Sequence, residues 1–398
     1  MFREIIIELY LWLFKIVFNV CKLFPVQNKI TFVVSFGDNT QYIYEKMLEK
    51  DINPNVVFLC KGKSISLFKQ YENAELIPLE TFNPAAALFS IYHLATSNKV
   101  VIDNYYGFLA VTNFKKGVEC IQLWHAAGAI KKFGLKDSSI QNRTDRAKKR
   151  FLKVYGRFDK VIVGSDIMGK YFMESFNLEP EKILRTGIPR TDFFFNDQKC
   201  IQVKNKLFKE NPELQHKKII LYAPTYRDNE LNDFKIKMDF GKLYDNFKDE
   251  FVVLLRLHPA IKHKGNIQGK YSAFVYDYSS ARYDINELLL VADILITDYS
   301  SIPYEYSLLN KPMLFFAYDL HEYQEDRGLW NDYETMVPGP VVRTTDEIIN
   351  YIKKGKFNLR LIEDYARKWN KYSTGNSSEN VVAYLYGKDH LSQKSRAL

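Results

Sequence analysis

The chain is poor in cysteine and lacks the short motifs that mark several large enzyme classes. Its 398 residues contain four cysteines, Cys21, Cys60, Cys120 and Cys200, which lie far apart without Cys-x-x-Cys spacing. This spacing argues against a disulfide framework and a zinc site, and it predicts buried thiols in a reducing compartment. No GxGxxG motif follows the first predicted strand, which disfavours a dehydrogenase, and Walker A, HExxH and GxSxG motifs are absent as well.

Acidic residues are outnumbered by basic ones. The sequence has 47 Asp and Glu against 56 Lys and Arg, for a net charge of +9. We therefore expect a negatively charged partner: nucleic acid, anionic lipid or a phosphorylated metabolite. A hydrophobic fraction of 46% excludes a disordered chain, and the length allows two domains. The 27 Tyr and 29 Phe residues indicate wide cores or contact with an apolar partner.

The apolar stretch at residues 5–24 is interrupted by polar side chains at helical spacing. A spanning helix would place Lys15 near the bilayer centre, at a cost of about 2.5–3.5 kcal/mol on insertion scales. No small-residue cleavage site follows, which argues against a signal peptide. The polar residues share one face, so we expect an amphipathic helix in the membrane plane. A helix packed on the protein's own core is the alternative. The polar positions are Glu4, Glu8, Lys15, Asn19 and Lys22.

Apolar runs alternate with helical patterns along the rest of the chain, which predicts two Rossmann-like α/β domains facing each other across a cleft. We expect a membrane helix at 1–24, an N-terminal acceptor domain at 25–195, a C-terminal donor domain at 196–358, and a C-terminal helix and tail at 359–398. The predicted strands are 29–36, 56–60, 99–103, 119–124 and 160–164 in the first domain, and 218–223, 251–257, 273–276, 293–297 and 312–316 in the second.

Three apolar runs end in residues that can do chemistry. His125 closes one run, His258 closes another, and the third ends in Thr297, Asp298 and then Ser300 and Ser301. Ligands of open α/β sheets bind beyond the carboxyl ends of the strands, so these positions predict a catalytic cleft. A histidine of near-neutral pKa suits proton abstraction from a hydroxyl. Hydrogen-bonded loop histidines without a catalytic role are the alternative.

The two serines precede Pro303, which suits the opening turn of a helix. Free backbone N–H groups at a helix start attract phosphate, and the serine hydroxyls can either donate to it or only cap the helix. Thr225 and Arg227 follow another predicted strand, and an arginine fork fits phosphate oxygens. Arg227 paired at the surface with its neighbour Asp228 is the alternative.

Residues 131–160 carry eleven basic side chains and three acidic ones. They follow a small-residue loop around Gly128 that allows close approach of a substrate. We assign this region to acceptor and membrane binding, since anionic lipid headgroups or a lipid pyrophosphate would fit it. A solvated helix face is the alternative, and we find no nucleic-acid-binding signature. The assigned residues are Gly128, Lys131, Lys132, Arg143, Arg146, Lys149 and Arg150.

Together these stretches resemble the CDP-glycerol glycerophosphotransferases of Gram-positive wall teichoic acid synthesis. The resemblance rests on Trp-His-Ala-Ala-Gly-Ala-Ile-Lys-Lys-Phe-Gly at 124–134, Tyr-Ala-Pro-Thr-Tyr-Arg-Asp at 222–228, Leu-Arg-Leu-His-Pro at 255–259 and Thr-Asp-Tyr-Ser-Ser at 297–301. Phe-Ala-Tyr-Asp-Leu at 316–320, followed by Arg-Gly at 327–328, adds to it.

The resemblance implies a GT-B fold at the cytoplasmic face of the cell membrane, with His125 and His258 essential and the 297–301 loop binding donor phosphates. The Trp-His-Ala-Ala variant is similar to primases, which add the first glycerol phosphate to N-acetylmannosaminyl-N-acetylglucosaminyl-diphospho-undecaprenol. A glycerol- or ribitol-phosphate polymerase, a GT-B glycosyltransferase and a non-catalytic basic scaffold are the alternatives. We expect no cofactor and no metal requirement, and a second copy of the chain or other teichoic acid enzymes are further candidate partners.

Overall fold

Apolar runs that end at polar residues form parallel strands in the structure, because side chains buried on both faces of a sheet must be apolar along the whole strand. The computed structural model describes residues 2–52, 55–227, 230, 232, 234–261, 271–280 and 283–387. Asp228 of the second motif and the tail beyond residue 387 lie outside these residues. The chain divides into two α/β units.

The first unit contains the residues up to Ala126, Phe133–Asp192 and the residues from Lys371 onward. Its parallel sheet has the strand order β3-β2-β1-β4-β5-β6-β7. The strands are β1 (Gln27–Val34), β2 (Val56–Lys61), β3 (Glu75–Leu79), β4 (Ser97–Ile102), β5 (Glu119–Gln122), β6 (Lys160–Ile162) and β7 (Ile183–Leu184). The helices are α1 (Phe2–Cys21), α2 (Asp38–Glu49), α3 (Ile65–Phe68), α4 (Pro84–Thr96), α5 (Asp145–Tyr155), α6 (Asp166–Phe176) and, near the C-terminus, α15 (Ser377–Tyr386).

The second unit contains Ala127–Lys132 and Phe193–Asn370. Its parallel sheet has the strand order β10-β9-β8-β11-β12-β13. The strands are β8 (Lys218–Ala223), β9 (Phe251–Leu255), β10 (Val275–Asp277), β11 (Ile294–Thr297), β12 (Met313–Phe316) and β13 (Val341–Val342). The helices are α7 (Asp197–Glu210), α8 (Phe240–Phe247), α9 (Ile285–Val291), α10 (Ile302–Tyr306), α11 (Leu320–Arg327), α12 (Tyr333–Met336), α13 (Thr345–Lys354) and α14 (Leu359–Trp369).

Three features differ from the sequence-based expectation. Strands β3, β7 and β13 were not predicted. The single C-terminal helix expected within 359–398 is two helices, α14 and α15, which belong to different units. The peptide Ala127–Lys132, expected in the first domain, belongs to the second unit, where Lys131 forms an antiparallel bridge with Leu329. The four cysteines are free thiols.

Helix α1 buries one side and exposes apolar residues on another. Leu11, Phe14, Phe18 and Cys21 are buried, and the Phe14 ring stacks on Phe108 at 5.1 Å between centroids. Packing on the protein itself, the alternative reading of this stretch, therefore holds for that side. The exposed apolar side chains are Ile5, Ile6, Leu9, Tyr10, Trp12, Leu13, Ile16 and Val20. Among the described helices, none is long and apolar enough to cross a membrane.

Candidate active site

The strand order of each sheet reverses direction between its central strands, and such switch points form ligand crevices at the carboxyl ends. In the first unit Asp103 directly follows β4 and is 2% exposed. Its carboxylate accepts hydrogen bonds from the backbone N–H groups of Ser35 (2.9 Å), Phe36 (2.8 Å) and Gly37 (3.0 Å). Asp103 therefore fixes the backbone of the loop after β1, which carries Phe36. Burial raises the pKa of Asp103, while these N–H groups lower it.

His125 lies beyond β5, the strand next to β4, with its imidazole between two aromatic rings. The Phe36 centroid is 4.3 Å from the imidazole centroid and the Trp124 centroid is 4.4 Å from it, both nearly parallel to it. Burial and then the positive charge of Arg190 lower the pKa of His125 to about 4, and a backbone interaction with Asp103 opposes them. The ring is therefore neutral at pH 7, the form that can accept a proton. In the described part of the chain, its buried Nδ1 has no hydrogen-bond partner, so no neighbour fixes the tautomer through that atom.

Asp298, after β11 of the second unit, is a buried hydrogen-bonding centre. One carboxylate oxygen accepts from the backbone N–H of Thr225 (2.8 Å), from its hydroxyl, and from the backbone N–H of Tyr299 (2.7 Å). The other accepts from Arg227 at 3.1 Å. Since Asp298 is only 2% exposed and these partners occupy it, its position ties the loop after β8 to the loop after β11. The sequence predicted that Thr225 and Asp298 bind the donor substrate. In the structure their side chains are hydrogen-bonded to each other.

All three nitrogens of the Arg227 guanidinium donate hydrogen bonds to groups of the protein. Its Nε and Nη2 donate to the Asp319 carboxylate at 2.7 and 2.9 Å, and Nη1 donates to the Thr225 carbonyl at 2.8 Å. The guanidinium carbon also lies 4.8 Å from the Tyr323 ring centroid. The surface pair with Asp228, our alternative, involves a residue outside the described part of the chain. Because carboxylates hold this fork, the structure favours a loop-organising role for Arg227 over direct phosphate binding.

Ser300 and Ser301 differ in their hydrogen bonding. The Ser300 hydroxyl lies 2.9 Å from the Thr297 hydroxyl and accepts a long bond from the Ile302 N–H at 3.4 Å. Ser301 is the N-cap residue of α10, yet its side chain makes no capping hydrogen bond. The alternative in which the hydroxyl only caps the helix therefore does not describe Ser301, whose hydroxyl can serve a ligand. Helix α10 has only 5 residues, so its dipole contributes little.

His258 is exposed beyond β9, with its ring 4.5 Å from that of Tyr226. Its Nδ1 accepts the Ala260 N–H at 3.2 Å, so the neutral ring carries its proton on Nε2 and can donate it. Although the side chain is exposed, protein atoms around the ring partly desolvate it, and this effect and then the charges of Lys131 and Arg256 lower the pKa of His258. Lys131 belongs to the same unit and donates to the Tyr323 hydroxyl at 2.9 Å.

The residues assigned to acceptor and membrane binding separate into two groups. Gly128 is buried in the second unit, where an added Cβ would lie 2.6 Å from the Tyr304 ring, so this glycine serves packing and not substrate access. Lys131 and Lys132 share that unit. The other group lies in the first unit: Arg143 precedes α5, and Arg146, Lys149 and Arg150 lie on it. Arg150 pairs with Glu4 of α1 at 3.3 Å, and the rest are exposed.

Comparison with known proteins identifies the class to which this fold and site belong. A structure of a variant of the wall teichoic acid polymerase TagF, soaked with CDPG, superposes with a TM-score of 0.77 at 25% identity and covers 100% of both chains. The two-unit parallel α/β architecture is thus similar to TagF, which is GT-B-like.

The family model for CDP-glycerol:poly(glycerophosphate) glycerophosphotransferase matches residues 16–387, and the chain belongs to this family. It is a CDP-glycerol glycerophosphotransferase of teichoic acid biosynthesis, which confirms the resemblance noted above. The teichoic acid glycerol-phosphate primase of Bacillus subtilis strain 168 is 35% identical over 384 residues, covering 96% of this chain and 98% of that protein. The poly(ribitol-phosphate) polymerase of Bacillus spizizenii is 37% identical over 379 residues, covering 93% of this chain and 58% of that protein.

Proposed function

We propose that this enzyme is a primase that transfers one glycerol phosphate from CDP-glycerol to N-acetylmannosaminyl-N-acetylglucosaminyl-diphospho-undecaprenol. The observation that carries the proposal is the 35% identity with the Bacillus subtilis glycerol-phosphate primase over 96% of this chain, against 28% with the poly(glycerol phosphate) polymerase of Bacillus spizizenii over 97% of it. The catalytic residue in the first unit is His125, and the donor-side residues in the second unit are His258, Ser300 and Ser301.

In the proposed reaction His125 takes the proton of an acceptor sugar hydroxyl. The freed oxygen attacks the β-phosphorus of CDP-glycerol, so a new P–O bond to the sugar forms as the bond from the β-phosphorus to the bridging oxygen breaks. CMP leaves with that bonding electron pair. A neutral imidazole is required at the start, and the lowered pKa of His125 supplies it at physiological pH.

The charge that develops on the phosphate oxygens needs donors fixed in place. His258 offers its Nε2 proton, because Nδ1 is already an acceptor. Ser301 offers a hydroxyl that no cap occupies. We propose that these groups act without a metal ion. In the described residues no cluster of three or more His, Cys, Asp or Glu is arranged to hold one. Retention of activity in excess EDTA tests the proposal, and loss restored by added Mg²⁺ would contradict it.

We further propose peripheral binding to the cytoplasmic face of the cell membrane through α1 and α5. The exposed apolar side of α1 supplies hydrophobic contact, with Leu9 55% and Trp12 58% exposed. The ion pair between Arg150 and Glu4 joins the basic α5 to α1, so charge and apolar surface lie together in one unit. The basic side chains of such a surface suit anionic lipid headgroups, and its apolar side chains suit the acyl chains below them.

Surface substitutions test the membrane proposal better than deletion of residues 1–24, because Phe14 and Phe18 are buried in the unit and deletion would remove part of its core. We expect Leu9→Glu with Trp12→Glu to lower co-sedimentation with anionic vesicles at unchanged thermal stability. Leu361→Glu, at a residue 46% exposed on α14, is the matched control. Binding unchanged by the double substitution would contradict a role of α1.

A poly(ribitol-phosphate) polymerase is the second candidate, favoured by the 37% identity to that relative. CMP release distinguishes the two. We expect release with CDP-glycerol and a lipid disaccharide analogue, little with CDP-ribitol, and little once the acceptor carries its first glycerol phosphate. Preferential use of CDP-ribitol together with faster release on the extended acceptor would favour this polymerase, whereas preferential use of CDP-ribitol alone would change only the donor. His125→Asn is the control for transfer chemistry.

A further inference from the structure

Two consecutive backbone carbonyls beside the active site are each held by a side chain that the sequence motifs do not include. The Trp124 carbonyl accepts from Asn39 Nδ2 at 3.0 Å, and the His125 carbonyl accepts from Arg190 Nη1 at 2.8 Å. The two holding residues are themselves joined, since the Arg190 backbone N–H donates to Asn39 Oδ1 at 3.0 Å. These bonds close a ring around the Trp124–His125 peptide, which we call the carbonyl clamp.

The backbone within the clamp has a conformation that requires support. Trp124 has a φ of +60°, in the left-handed region that bulky side chains avoid at a cost of about 1–3 kcal/mol. Its backbone N–H is also held, by Gln122 Oε1 at 2.8 Å. Because the direction of the His125 ring depends on this peptide, loss of a clamp bond lets both rotate.

Further contacts within the first unit hold the two residues of the clamp in place. Arg190 also lies 3.5 Å from Asp38, and Asn39 is 3% exposed. Arg190 lies on a short 3-10 helix, Pro189–Phe195, in which Asp192 accepts the backbone N–H groups of Ser377 and Ser378 at 2.9 and 2.7 Å. The start of α15 therefore anchors this short helix, and Arg190 reaches His125 from a fixed position.

We propose that Asn39 and Arg190 are positioning residues that hold the Trp124–His125 peptide and thereby aim the His125 imidazole at the acceptor hydroxyl. The inference rests on the proposed role of His125 as the base. The charge of Arg190 has a second effect, because a cation beside the ring favours its neutral form. Two acidic residues of the first unit also lie in this region: Asp103, whose backbone faces the ring, and Asp38, which pairs with Arg190.

Arg190→Gln tests the clamp in the full-length enzyme. We expect kcat to fall by about 10²-fold, as for a misplacement of about 1 Å, with a much smaller change in the KM for CDP-glycerol. The acid limb of the kcat/KM profile should move to higher pH by roughly half to one unit, since the cation no longer opposes protonation of His125. Arg190→Lys keeps the charge, so it should leave the acid limb in place and restore part of kcat.

Asn39→Ala gives a second test, because it removes the bond to the Trp124 carbonyl and the bond from the Arg190 backbone N–H but keeps the charge of Arg190. It should lower kcat without moving the acid limb. Arg185→Gln is the matched control, since Arg185 belongs to the same unit and pairs with Asp166 at the surface at 2.9 Å. It should behave as the parent enzyme. Thermal unfolding must show each variant folded.

NMR titration measures the pKa of the His125 ring and so tests the effect of Arg190 without relying on activity. The His125 signal is assigned as the one that is lost in His125→Asn. Arg190→Gln should raise the measured pKa. If the parent enzyme releases no CMP from CDP-glycerol, the proposed function fails, while this titration still decides whether Arg190 acts on His125. An unchanged titration with unchanged kcat overturns the inference. So does a loss of kcat matched by an equal rise in KM with the acid limb in place.

Discussion

Replacing Arg227 with Met should destabilise the second unit rather than simply weaken donor binding. The substitution keeps most of the aliphatic stem and removes the guanidinium, which bonds Asp298 at 3.1 Å and Asp319 at 2.7 Å. Asp298 then stays buried, with a side chain 3% exposed and no cation to offset its charge. The Thr225 carbonyl loses its donor as well.

Removing one partner of a buried ion pair costs about 3–5 kcal/mol, because the remaining charge is neither paired nor solvated. A unit of this size loses about 2–4 °C of Tm per kcal/mol, so we expect its transition to fall by roughly 6–20 °C. Burial already raises the pKa of Asp298, and Arg227 opposes that rise. Without Arg227 the pKa rises further, and a protonated Asp298 needs no cation. The deficit relative to the parent should therefore shrink as the pH falls.

Differential scanning calorimetry at several pH values measures this effect, together with the KM for CDP-glycerol well below the transition. Arg343→Met is the matched control, because Arg343 pairs with Glu334 at 2.7 Å with both side chains more than half exposed. Exposed pairs contribute about 0–1 kcal/mol, so this control should hardly move the transition. An Arg227→Met enzyme of unchanged stability whose KM for CDP-glycerol rises tenfold would show that Arg227 binds the donor instead of holding the loops.

Further predictions concern packing, the donor site and pH. Gly128→Ala should lower stability by about 1–3 kcal/mol in urea unfolding, because the new Cβ meets the Tyr304 ring, whereas Gly107→Ala, with open space around it, should be nearly neutral. Ser301→Ala should raise the KM for CDP-glycerol without changing Tm, since its hydroxyl makes no capping bond. A drop in Tm with unchanged KM would assign it to the fold alone. The pKa of His125 is about 4 in the folded protein, so the unfolded chain binds more protons between pH 6.5 and 4. Stability is full above pH 6.5 and should fall with acidification, and His125→Asn should flatten this dependence in urea titrations.

The sequence predicted the strand ends well because apolar runs and the polar residues after them are local signals. His125, His258 and Asp298 all directly follow or closely follow strands at the expected edge of each sheet. Strands β7 and β13 were not predicted because they have 2 residues each, too few to show an apolar pattern. Strand β3 was not predicted because Pro78 interrupts its apolar run.

The parts of the site that could not be predicted depend on contacts between distant segments. The residues next to Arg227 in the sequence suggested a phosphate ligand, but its guanidinium is hydrogen-bonded to Asp319, 92 residues further along the chain. Arg190 lies 65 residues from His125, and Asn39 lies 85 from Trp124. An arginine after a short strand and an asparagine at a helix start are common, so neither stands out until the fold brings them to the same peptide.

The mass of the lipid product shows whether the enzyme adds one glycerol phosphate or several. Purified enzyme is incubated to completion with excess CDP-glycerol and the lipid-linked disaccharide, and the product is analysed by mass spectrometry. A primase yields one species, the disaccharide lipid with a single glycerol phosphate, and His125→Asn yields none. A ladder of several glycerol phosphates, or conversion only when CDP-ribitol replaces CDP-glycerol, would contradict the account.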